Sequence, residues 1–301
     1  MAIHFSCPHC GAETNVTDDY AGQTGPCAQC GKPITIPAAG GGPTQPYAPP
    51  AKKSSGAPVL VIVLVVALGA FVVCGGVLAA LLLPAVQAAR GAARRAQCLN
   101  NMKQIGLAMM NHESALKRFP SAYKPDEDGN PMHSWRVMIL PFMGEKALYD
   151  MYNFDVPWDH PDNQALADMM PDVYRCPSDT SENLSHTNYL MVVGPGCISD
   201  GPKASGLRDI RDGSSNTIMV VEVAGRGINW LDPTDWDAET SNFSVNDGSG
   251  AGIESEHPGV ANVLFCDGSV DSLDSGIDPQ VFKAMTTIAG GEDVGPYGFN
   301  Y

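Results

Sequence analysis

The chain has 301 residues, 17% of them charged and 44% hydrophobic, with a net charge of −15, which excludes collagen-like and wholly disordered classes. The charge is uneven: from Phe119 onward nine Lys/Arg face 29 Asp/Glu, a net of −20 that repels phosphate backbones and argues against nucleic acid as a partner. The pattern predicts a small head, a membrane segment and an acidic α+β domain. Residues 1–38 open with Cys7-Pro8-His9-Cys10 and Cys27-Ala28-Gln29-Cys30. Two residues between thiolates let one tight turn aim both sulfurs at a single ion, and the interval between the pairs suits a four-thiolate zinc ribbon. Four sulfurs complete a tetrahedron, so one structural Zn2+ is expected on Cys7, Cys10, Cys27 and Cys30, with His9 as the substitute ligand. About 38 residues are too few for an apolar core to suffice. Residues 39–58, with Gly40-Gly41-Gly42-Pro43 and Pro46, Pro49 and Pro50, read as a flexible linker.

Residues 59–83 carry no charge. About 20 apolar residues cross a bilayer, so this run predicts a transmembrane helix, with lipid as its first partner. Lys52 and Lys53 precede it, and Arg90, Arg94, Arg95 and Lys103 follow, a positive-inside balance that favours a cytoplasmic C-terminal domain. Thiolate zinc sites favour a reducing compartment and point the other way, to a cytoplasmic head. The globular domain is expected over 84–301. Its first element is an amphipathic helix from Ala85 to about Leu116, in which Cys98, Met102, Ile105, Met109, His112 and Leu116 form one face and Arg94, Asn101 and Lys103 lie off it. Pro84 and Gly91 mark weak points for a kink, and Phe119-Pro120 ends the helix. Strands are predicted at Trp135–Leu140, Tyr189–Val193 and Thr217–Val223. Asp267-Gly268 predicts a two-residue hairpin between Val263–Cys266 and Ser269–Leu273. Asp278-Pro279 predicts an N-cap and a short final helix.

Several blocks, taken in order, resemble a large bacterial domain-of-unknown-function family with a prepilin-like N-terminal helix and a C-terminal His-x9-Asp-Gly motif. They are Leu81–Arg90, Ala93–Cys98, Asn101–Leu107, His133–Arg136, Pro157–Asp159, Tyr174–Asp179, Thr187–Tyr189, Ile210–Thr217, Glu222, and His257 followed by Asp267-Gly268. The resemblance spans roughly residues 79–295. It implies a pilin-like fold, a long helix half in the membrane and half packed on an antiparallel sheet, with the globular part outside the cytoplasm. It implies no assigned activity. Family members begin their helix with Gly-Phe-Thr-Leu-Val-Glu, whereas Gly56-Ala57-Pro58-Val59-Leu60-Val61 stands here, so the head is expected to be retained.

An exported domain permits disulfides among Cys98, Cys176, Cys197 and Cys266, two bonds in any of three pairings. The acidic loop Asp232–Asp237 is a weak Ca2+ candidate without EF-hand spacing. His257 and Asp267, separated by one strand, suit a general base and its orienter. Asp267 and Gly268 also have a full structural role in the turn, and no nucleophile elbow or His-Glu-x-x-His motif accompanies them. The expected function is therefore structural: a non-catalytic, membrane-anchored, pilin-like protein of the envelope with protein partners in secretion or assembly. A transmembrane adaptor with a recruiting zinc head is one alternative, and an envelope hydrolase using His257 and Asp267 is the other.

Overall fold

The computed structural model describes residues 2–38 and 56–292. The chain forms two compact units, Met1–Val73 and Cys74–Tyr301. In the first, β1 (Ala2–Ser6) pairs with β2 (Glu13–Thr17), and β3 (Thr24–Pro26) pairs with β4 (Pro33–Thr35), giving two antiparallel hairpins. Among the described residues of that unit only Cys7 (3% exposed) and Cys27 (7%) are buried. Its centre is sulfur, not hydrocarbon.

Helix α1 runs without interruption from Gly56 to Leu116 and contains Pro84. It starts three residues inside the expected linker, whose remainder lies outside the described residues, and Pro84 does not end it. Every large apolar side chain from Val59 to Leu83 is more than half exposed, from 54% at Val77 to 77% at Phe71. The second half behaves differently. Cys98, Met102, Ile105 and Met109 are fully buried, each apolar side chain contributing about 1.5–3 kcal/mol by leaving water. The stripe stops short of Leu116, which is 57% exposed, and the next residue turns left-handed (Lys117, φ 61°). Asn101, expected off the buried face, is itself buried and donates from Nδ2 to the Arg175 carbonyl at 2.9 Å.

After α1 come a small hairpin, β5 (Tyr123–Pro125) with β6 (Pro131–Ser134), and three short helices, α2 (Trp135–Met138), α3 (Lys146–Met151) and α4 (Pro161–Gln164). The strand expected at Trp135–Leu140 is thus helical. Ser134 caps it, accepting from the Arg136 amide at 3.3 Å, and the apolar residues that suggested a strand are buried in one tight turn. The main sheet follows, built from β7 (Tyr189–Val193), β8 (Ser199–Asp200), β9 (Lys203–Ala204), β10 (Ile218–Glu222), β11 (Trp236–Asp237), β12 (Val260–Phe265) and β13 (Val270–Asp274). Its order is β13-β12-β10-β7-β8-β9, with β11 joined to β7. The β7–β8 and β7–β11 pairs are parallel and the others antiparallel, so the sheet is mixed, not purely antiparallel as expected. The last helix, α5 (Pro279–Ala284), is capped by Asp278, whose Oδ1 accepts from the Gln280 amide at 2.8 Å.

The sheet separates two cores. Met191, Met219, Val220 and Leu264 pack with the buried face of α1, while Leu190, Val192, Val221 and Val263 pack with Trp236, Phe243 and Phe282. A register shift between Ile218 and Val220 puts the adjacent Met219 and Val220 into the same core. Beyond it the ordinary alternation resumes, and Glu222 shares the α1 side with Val220. The β12–β13 turn also differs from expectation. Phe265 and Ser269 close a three-residue loop, and Gly268 alone takes a positive φ, 82°. Gly106 of α1 meets this hairpin so closely that a Cβ there would lie 2.7 Å from Leu264 Cδ1.

Candidate metal centres

Two groups of ligand-bearing side chains gather within 4.8 Å among the described residues. The first is in the head. Each Cys-x-x-Cys turn follows a strand and folds back on itself: the Gly11 amide donates to Cys7 O at 2.9 Å and the Gly31 amide to Cys27 O at 2.8 Å. Gly11 (φ 72°) and Gly31 (φ 70°) supply the left-handed step that lets both sulfurs of a pair point the same way. Sγ of Cys7 lies 3.9 Å from Sγ of Cys30, and Sγ of Cys10 lies 3.9 Å from Sγ of Cys27. Zn–S bonds of about 2.3 Å in a tetrahedron need sulfurs about 3.8 Å apart, so the four thiols fit Zn2+. The amides of Cys30 and Gln29 hold the Cys27 thiol down, to about 6, whereas at Cys10 the Ala12 amide is outweighed by the neighbouring Cys7 and Cys30 sulfurs, which push that thiol up to about 12. His9 is exposed and stands outside the group.

The second group was not foreseen as a unit. It consists of Cys98 from α1, Cys176 from the loop before β7, Glu222 at the end of β10 and His257 from the loop before β12, all buried. Cys98 and Cys176 are joined in a disulfide with their Cα atoms 5.3 Å apart. His257 Nε2 lies 3.5 Å from Cys176 Sγ and 3.6 Å from Glu222 Oε1. The other carboxylate oxygen, Oε2, accepts from the Asn262 amide at 3.1 Å and from Asn262 Nδ2 at 2.8 Å. Among the described residues Oε1 has no hydrogen-bond partner, and it has no access to solvent. Burial pushes the Glu222 carboxyl up to about 7, and burial with Arg95 and Arg94 nearby pulls His257 down.

The other expected sites resolve differently. Asp267 is exposed and accepts from the Ser269 amide at 2.8 Å and Oγ at 2.6 Å. Among the described residues no hydrogen bond or ion pair joins it to His257, whose acidic neighbour is Glu222. The four domain cysteines give one bond instead of two, because Cys197 is buried in the α5 core and Cys266 in the α1 core. In the Asp232–Asp237 loop the acidic side chains are engaged locally. Asp235 is buried against Arg136 at 2.7 Å, Asp232 Oδ1 accepts from the Thr234 amide and Asp237 Oδ1 from the Glu239 amide.

A family model described as "Protein of unknown function (DUF1559)" matches residues 87–203. The matched stretch runs from α1 to β9 and includes Cys98 and Cys176 but neither Glu222 nor His257. No curated protein and no solved structure matches the chain.

Proposed function

We propose that the chain is a single-pass, non-catalytic protein of a bacterial envelope, with a structural zinc ribbon on the cytoplasmic side and a pilin-like interaction domain outside. The observation that carries this reading is the band from Val59 to Leu83, in which every large apolar side chain is exposed along about 37 Å of helix. In water such a surface is costly, and in lipid it is ordinary. A four-thiol head suits a reducing compartment and the Cys98–Cys176 bond an oxidising one, which supports opposite sides for the two.

The basic residues after the span argue for the reverse orientation. Two of them have local roles that soften the objection: Arg94 donates from Nε to Ser178 Oγ at 3.3 Å, and Arg95 acts electrostatically on Glu222 and His257. An adaptor role for the head is the second reading, favoured by a cavity of ≈ 240 Å³ whose lining includes Phe5, Val16, Ile34 and Ile36.

The native domain thiols are buried or bonded, so topology is best read from an introduced one. Ser275 is exposed. A Ser275→Cys variant should react with a membrane-impermeant maleimide on intact cells while the parent chain does not. Labelling that requires broken membranes overturns the orientation.

A further inference from the structure

We propose that Cys98, Cys176, Glu222 and His257 form a second zinc site, closed to metal while the disulfide stands and opened when a dithiol reductant cleaves it. Three observations lead there. The first is the donor set: two sulfurs, an imidazole nitrogen and a carboxylate oxygen, all buried and within 4.8 Å of one another, the chemistry of a tetrahedral zinc site and too soft for Ca2+ or Mg2+. The second is spacing. Bonds of about 2.3 Å to sulfur and about 2.1 Å to nitrogen and oxygen place S and N about 3.6 Å apart, and N and O about 3.4 Å apart, in a tetrahedron. The structure has 3.5 Å for Cys176 Sγ to His257 Nε2 and 3.6 Å for His257 Nε2 to Glu222 Oε1.

The third observation is the orphan oxygen. Glu222 Oε1 is wholly buried and makes no hydrogen bond among the described residues, an arrangement that costs a carboxylate dearly unless a cation meets it. Its twin Oε2 is held by Asn262, so the side chain is fixed in place by a neighbour that itself accepts from Ser272 Oγ at 2.7 Å. Support of this kind is what orients a metal ligand. A cavity of ≈ 480 Å³, lined by residues that include Gln87, Arg94, Arg95 and Glu256, reaches His257 and gives an ion a way in. Zn2+ with two thiolates and a carboxylate leaves one net negative charge, and Arg95 stands ready to balance it.

The chemistry balances. The dithiol delivers two electrons and two protons to the Cys98–Cys176 bond and is itself oxidised to a disulfide, leaving two cysteine thiols. Zn2+ then displaces both thiol protons as the sulfurs separate to about 3.8 Å. Oxidised, Cys98 and Cys176 tie α1 to the loop before β7 by a covalent bond. Reduced, they tie it by a metal ion.

The test uses the full chain in detergent with Cys7→Ser, Cys10→Ser, Cys27→Ser and Cys30→Ser, so that the head contributes no zinc. The oxidised protein should take up no Zn2+, and the protein reduced by dithiothreitol should take up one equivalent. Co2+ in its place should give a thiolate charge-transfer band. Glu222→Gln and His257→Ala should each weaken binding by at least about 100-fold, beyond the loss typical of an outer-shell partner. Cys98→Ser/Cys176→Ser should abolish it, with circular dichroism reporting whether each variant is folded. A reduced, folded protein that takes up no metal overturns the proposal. So does binding with the disulfide intact, or binding indifferent to Glu222 and His257 replacement in folded variants.

Discussion

Replacing Asp235 by alanine removes one oxygen that serves three buried donors. Oδ1 accepts from Arg136 Nη2 at 2.7 Å, from Trp135 Nε1 at 3.0 Å and from the Met191 amide at 2.9 Å. The carboxylate also neutralises a guanidinium that is 0% exposed and otherwise holds α2 to β7 through the Tyr189 carbonyl and to the loop before β11 through the Asp232 carbonyl. Breaking one side of a buried pair costs about 3–5 kcal/mol, and each stranded neutral donor about 1–3 kcal/mol. These losses share one site and do not add fully, so the expected total is about 4–5 kcal/mol. For a domain of this size that lowers the midpoint of thermal unfolding by about 10 °C. Arg136→Met alone should cost a similar amount, and the double variant less than the sum, since neither partner is then left charged and alone. Thermal melts followed by near-ultraviolet circular dichroism measure all three. An Asp235→Ala protein that melts within 2 °C of the parent, or strict additivity in the cycle, would refute the reasoning.

Other outcomes follow from the geometry. Chelation of the head, or Cys27→Ser, should unfold residues 1–38, because metal binding and folding there are one event; a folded, metal-free head under chelator contradicts this. Cys98→Ala/Cys176→Ala removes a cross-link spanning 78 residues of sequence and should cost about 4 kcal/mol relative to the oxidised protein, read as a shift in denaturant midpoint. Gly106→Val should cost about 1–3 kcal/mol by forcing α1 away from Leu264 and the Gly268 backbone, whereas Leu107→Val, at an exposed position one residue on, should change the midpoint little.

What the sequence made legible was local. The Cys-x-x-Cys turns, the Met stripe of α1, the Asp278 cap and the β12–β13 hairpin each depend on residues a few positions apart, and spacing alone predicts them. Trp135–Leu140 misled because an aromatic, branched run suits a buried helical turn as well as a strand, and the deciding feature was Ser134 acting as a cap. The Cys98–Cys176–Glu222–His257 group was invisible as a unit. Its members lie on four separate elements, and Glu222 faces the helix only because of a register shift near Ile218 that no residue type announces. The pairing of His257 with Asp267 looked natural in one dimension, yet the turn consumes Asp267 and the sheet delivers Glu222 instead.

The two ends of the main sheet bear on how neighbouring copies would meet. At one end β13 presents Asp271 and Asp274 along its outer strand, and at the other β9 is only two residues long. Carboxylates on a border strand repel an identical border, and a two-residue strand offers too little backbone to template an addition. The net of −20 from Phe119 onward reinforces that repulsion. Such molecules resist merging strand to strand into a continuous ribbon, so any filament or cluster they build is joined through side chains and not through shared backbone, leaving each sheet a separate tile.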